Sequence, residues 1–121
     1  MESSNGRKEK RRHLRFDLDL PLEYQEAESP NIRGALVVNA SESGILVHSI
    51  KEVPVGAKLD ISVLFPNGYE LTNFRVLAEI VWKDILWEEN WEGYQLGLKF
   101  LHIPVEDIQK LKLLLGDGHG I

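Results

Sequence analysis

The chain has 121 residues, 43% of them hydrophobic, with a formal net charge of -5 and no cysteine. That length suits one domain with one core, and the missing cysteines exclude disulfides and thiolate metal sites. No apolar run reaches the length of a membrane span and the polar start lacks signal-peptide features, so a cytoplasmic protein without membrane insertion is expected. The charge is uneven: residues 1–15 sum to +4, which leaves -9 on the remainder. A basic arm on an acidic body suits one localised anionic ligand better than a nucleic acid polymer.

Residues 1–9 are polar and lack apolar periodicity, which predicts a disordered basic arm. The folded domain is expected over 10–116, with a flexible tail at 117–121. From Phe16 the pattern alternates: Phe16, Leu18, Leu20, Leu22 and Tyr24 are separated by polar residues or proline. That period of two predicts a strand with one buried face. Pro21 cannot donate to a ladder, so the strand is expected at an edge or interrupted. Ser29-Pro30-Asn31 reads as a turn. Ile32 to Val38 is the second strand, with Gly34 as a bulge candidate.

Asn39 to Ser43 turns the chain into a third strand, Gly44 to Ser49. Lys58 to Phe65 is the fourth. Pro66-Asn67-Gly68 is a hairpin signal leading into a fifth strand from about Tyr69 to Lys83. Phe74, Val76, Ala78, Ile80 and Trp82 are in phase along it. A polar, Trp-containing loop is expected from Asp84 to Glu92, then a sixth strand from Gly93 to Leu101. Pro104 opens a helix with Val105, Ile108, Leu111, Leu114 and Leu115 at helical spacing, and Gly116 stops it. Six short strands with regular turns indicate an all-β sandwich or barrel, with the helix across one end or face.

Two motifs stand out. Arg11 and Arg15 lie four positions apart, immediately before the first strand. After 23 intervening residues comes Asn39-Ala40-Ser41-Glu42-Ser43-Gly44, an N-x-S-x-x-G turn. Arginine pairs bidentately with phosphate oxygens and with the O6/N7 edge of guanine. Asn39 offers an amide donor and an amide acceptor, Ser41 a hydroxyl, and Gly44 either positive φ or a close backbone approach. Each motif alone is weak: Arg7 and Arg11 also match the arginine spacing, and N-A-S-E-S-G is ordinary turn composition.

In order, spacing and context together, the pair resembles the PilZ domain family. Its pattern is R-x-x-x-R, a spacer, then D/N-x-S-x-x-G. Gly97-Leu98-Lys99-Phe100 is similar to the G-x-x-F that these domains often carry. The resemblance spans about residues 10–115. It implies a six-stranded antiparallel β-barrel with a C-terminal α-helix. It also implies binding of the bacterial second messenger cyclic di-GMP through Arg11, Arg15, Asn39, Ser41 and Gly44. Lys10 stands where the family's residue type influences whether one messenger or a stacked pair is held, and a lysine supplies charge without a planar fork. Arg12 either adds a ligand contact or faces solvent. Trp82 either presents its ring to a guanine or belongs to the core or barrel rim. Trp87 and Trp91, in the acidic segment, are candidates for a partner surface.

No catalytic constellation can be assembled. His13, His48, His102 and His119 are scattered without metal-ligand spacing, and no nucleophile elbow, P-loop or dinucleotide fingerprint occurs. No cofactor is expected beyond the messenger as ligand. The expectation is a receptor in which the arm folds over the ligand and creates a surface for a downstream protein, in motility, exopolysaccharide, biofilm or transcription control. The rivals are a PilZ-fold adaptor acting only through protein contacts, and a small barrel binding single-stranded nucleic acid. The last would need exposed aromatics interleaved with basic residues, and the acidic body argues against it. The helix can cap the barrel or pair with a second copy, so monomer and dimer both stay open.

Overall fold

The alternation read from the sequence builds a sheet that closes on itself. The computed structural model describes residues 16–89 and 91–116. Six strands occur in chain order: β1 (Phe16–Glu26), β2 (Ile32–Ala40), β3 (Gly44–Ser49), β4 (Lys58–Asn67), β5 (Glu70–Glu88) and β6 (Trp91–His102). A helix, α1 (Val105–Leu114), follows. The strands form a closed barrel in the order β1-β2-β3-β6-β5-β4, with every neighbouring pair antiparallel. Closure occurs because β1 pairs with both β2 and β4, so β1 is not an edge strand. Pro21 is accommodated just before the β4 pairing begins at Leu22.

One phase of each strand fills the interior. Leu22 and Tyr24 from β1, Ile61 and Val63 from β4, Phe74 and Val76 from β5, and Leu96 and Leu98 from β6 are all buried. Phe74 meets Phe100 edge-to-face, with ring centroids 5.8 Å apart. Gly68 takes φ 68° in the short β4–β5 turn, a conformation a side chain would resist.

Several expectations change. The register through Gly34 is regular, and the bulge of β2 falls instead between Val37 and Asn39. Asn39 is therefore a strand residue, since β2 runs to Ala40. The expected loop at Asp84–Glu92 is a continuation of the β5–β6 ladder, which pairs as far as Glu88 and Trp91. Its acidic residues disguise an alternation that persists through Ile85 and Trp87.

The helix also turns a different face inward. Leu111, Leu114 and Leu115 are buried as expected, but Val105 and Ile108 are exposed and Asp107 is buried. The reason lies in β5. Its ladder with β6 begins only at Leu77, so the Arg75 amide has no strand partner on that side. Asp107 reaches down from the first turn of α1 and accepts that N–H at 2.6 Å. A buried carboxylate is tolerable when such a donor satisfies it.

Candidate ligand-binding cleft

A cleft of about 490 Å³ opens on the outer wall of the barrel across β2, β3, β6 and β5. The register aligns its central residues in one transverse row. Asn39 pairs with Leu46, Leu46 with Gly97, and Gly97 with Trp82. Two bulges create this row. On β2, two steps from Val37 to Asn39 match one step from Val47 to Leu46. On β5, two steps from Ile80 to Trp82 match one step from Leu98 to Gly97. Side chains of a strand alternate between faces, so one inserted residue swaps the face of everything after it. Val37 and Ile80 point inward, and the bulges turn Asn39 and Trp82 outward.

Trp82 is 42% exposed and lines the cleft, so it is not a core residue despite being in phase with Ile80 in the sequence. Its indole lies against Gly97. A Cβ built on Gly97 would overlap the ring, so the glycine is the seat of the tryptophan. This is a physical role for the first residue of the G-x-x-F element.

Gly44 solves a related problem. A Cβ there would collide with the backbone carbonyl of Leu98 on β6. Its φ is not positive, so close approach explains the glycine. Around it, Ser41 N–H donates to the Gly44 carbonyl at 2.9 Å, and Phe100 N–H donates to the Ser43 carbonyl at 2.9 Å. The Ser41 side chain is buried; its hydroxyl accepts from the Ser43 N–H at 3.3 Å and lies 3.3 Å from the Ser43 hydroxyl. Ser41 thus shapes the turn, while Ser43 lines the cleft.

Lys99, opposite Gly44 in the ladder, and Gln95, opposite His48, complete the polar lining. The Gln95 amide contacts His48 Nε2 at 3.1 Å. Among the described residues lining the cleft Lys99 is the single ionisable one, on a body whose net charge is negative. From these residues an anion meets one cation and no carboxylate. Ser43, Gln95 and Lys99 were not legible as site residues, because their place depends on cross-strand register.

Lys10, Arg11, Arg12 and Arg15 lie outside the described residues, as do the expected arm and tail. What is described is where the chain enters the barrel. Phe16 pairs with Ala40 and Asp17 with Asn39. The chain thus enters the barrel level with Asn39, although Asp17 and Asn39 are far apart in sequence.

A second depression of about 400 Å³ lies on another part of the wall, flanked by Glu23, Asp60, Arg75 and His102. Among the described residues, none of the motif positions lines it. Among the described residues, no group of three or more His, Asp or Glu is placed to hold a metal ion, and no helix is long and apolar enough to cross a membrane.

A comparison with curated proteins returned no match. Solved structures do match the fold. The Bacillus subtilis inhibitor of motility MotI/DgrA is similar with a TM-score of 0.71 and 20% identity, over 91% of this chain and 51% of that one. The PilZ domain of YcgR from Escherichia coli, solved with c-di-GMP, gives 0.67 and 13%, over 88% of each chain. The K. pneumonia MrkH–c-di-GMP complex gives 0.71 and 16%, over 91% of this chain and 52% of that one. This chain thus spans about half the length of MotI and MrkH. The family model for the PilZ domain matches residues 9–117, nearly the whole sequence, and the chain belongs to the PilZ domain family.

Proposed function

We propose that this PilZ domain is a receptor for cyclic di-GMP, held between the outer-wall cleft and the arginines that precede β1. The carrying observation is the β1–β2 register, which sets the entry point of the chain beside Asn39. Arg15 directly precedes Phe16 in the sequence, which supports one ligand addressed by both motifs. PilZ structures of YcgR and MrkH with c-di-GMP lend support to this ligand.

The chemistry of the cleft suits the messenger. The Asn39 amide complements the guanine N1–H and N2–H edge. The Trp82 ring offers a stacking surface for a base. Lys99 and the backbone around Gly44 suit a phosphate. Arg11 and Arg15 supply bidentate forks for the remaining phosphate and guanine edges, with Arg12 and Lys10 adding positive charge. Ser41 contributes by fixing the turn. Asn39 is neutral, so its bond to the base lacks the charge assistance an aspartate would give. Binding orders the arm, and the ordered arm with the adjacent barrel wall is the surface read by a downstream protein. The domain acts as a regulator and not as a catalyst.

Calorimetric titration with cyclic di-GMP tests this reading, with cyclic di-AMP as control. Wild type should bind saturably and the adenine analogue should not. Arg15→Ala and Asn39→Ala should each weaken binding by about tenfold or more, the equivalent of one good charge-assisted or base-edge hydrogen bond. Absence of binding by the folded wild type would contradict the proposal and favour the adaptor reading.

A further inference from the structure

Past the barrel rim, β5 and β6 continue together as a two-stranded ribbon. The β4 ladder on β5 ends at Lys58↔Glu79, and the β3 ladder on β6 ends at Ser49↔Tyr94. From Ile85 to Glu88, β5 pairs with β6 alone. The inward phase continues along this ribbon. Lys83 pairs with the core residue Leu96, and Ile85 and Trp87 follow at two-residue steps. These side chains belong to the core face but stand beyond the core. Ile85 is 62% exposed and Trp87 70%, and Ile50, from the β3–β4 connection, is 74% exposed beside them. With Tyr94 and Glu92 they line a cavity of about 400 Å³.

A free two-stranded ribbon is marginal in water, and a clustered Trp and two Ile in solvent mark an interaction surface more than a stabilising feature. Charge selects the occupant. From Asp84 to Tyr94 the sequence has four carboxylates and no lysine or arginine. Nearby Lys83 is paired with Glu52 at 2.6 Å, and that bond and charge hold Glu52 below the usual carboxylate range. Lys51, exposed next to Ile50, offsets one of these four carboxylates, so the surroundings of the apolar patch are acidic on balance, which disfavours nucleic acid and anionic membrane and favours a basic partner. The chain's own basic arm joins the barrel at Phe16, level with Ala40 and hence with Leu98 on β6, well away from the hairpin end of that strand.

We propose that the overhanging inner face of the β5–β6 hairpin, with Ile50, docks a partner-protein segment whose apolar side chains are flanked by Lys or Arg. The surface lies outside the cleft, so it does not depend on the ligand proposed there. Trp87 is the anchor, since a large aromatic in a concave apolar site dominates such contacts.

The test uses the full chain and two labelled synthetic amphipathic helices, one built of Leu and Lys, the other of Leu and Glu. Fluorescence anisotropy should show saturable binding of the Leu/Lys helix only. Trp87→Ser and Ile50→Ser should each weaken it by about tenfold or more, as expected of a hot-spot residue. Ile50 lies off the ribbon, so its substitution tests the surface even if the Trp87 variant misfolds. Equal binding by wild type and both variants would overturn the proposal. So would wild-type self-association in sedimentation that Ile50→Ser abolishes, because a second copy would then cover the face.

Discussion

Gly44 and Gly97 flank the cleft for different physical reasons, and the difference predicts different phenotypes. A Cβ on Gly44 meets a backbone carbonyl that cannot rotate away. Gly44→Ala should therefore cost about 1–3 kcal/mol in urea denaturation, the range for forced overpacking. A Cβ on Gly97 meets the indole of Trp82, a side chain that can swing outward. Gly97→Ala should cost less stability but weaken cyclic di-GMP binding, with a changed near-ultraviolet signal from the displaced ring. Equal stability losses in the two variants would refute this assignment. Asn39 and both glycines stand out in the sequence as motif positions, but the outward position of Trp82 does not. A period-two reading runs straight from Ile80 to Trp82 and places both in the core. Val38 and Val81 are ordinary strand formers, so nothing local announces the bulges that turn Asn39 and Trp82 outward.

At the level of elements, the strands were legible because the interior accepts one phase of each. The acidic ribbon and the helix face were not. Asp84 to Glu92 reads as a polar loop until the continuing phase of Ile85 and Trp87 is recognised in the ladder. On α1, the apolar spacing suggested Val105 and Ile108 as buried, whereas the unpaired Arg75 amide draws Asp107 into that place. Two buried polar groups now predict opposite outcomes. Asp107→Ala orphans the Arg75 N–H and should cost about 1–3 kcal/mol of stability. The Tyr24 hydroxyl is buried without a hydrogen-bond partner among the described residues, so Tyr24→Phe removes a group that none of them satisfies. That variant should be neutral or up to about 1 kcal/mol more stable. Urea denaturation of both variants gives the comparison, and a large loss in Tyr24→Phe would show that the hydroxyl has a partner after all.

Across the whole molecule, closure of the sheet joins these features. Because β1 pairs with both β2 and β4, Phe16 and Asp17 enter the barrel opposite Ala40 and Asn39 on the bulged wall. The acidic ribbon continues β5 and β6, two of the four strands of the cleft, but its Ile85 and Trp87 follow the inward phase while the cleft lies on the outward one. Family and barrel were legible from motif order and strand periodicity; the arrangement of the cleft required the register. The most direct measurement is a heteronuclear NMR titration of the full chain with cyclic di-GMP, following the Asn39 side-chain amide and the Trp82 indole N–H. Saturable shifts of both, with little change at Arg75 and His102 in the other depression, are the predicted result. Shifts confined to Arg75 and His102, or none at Asn39 and Trp82 at saturating ligand, would contradict a nucleotide site on the bulged wall.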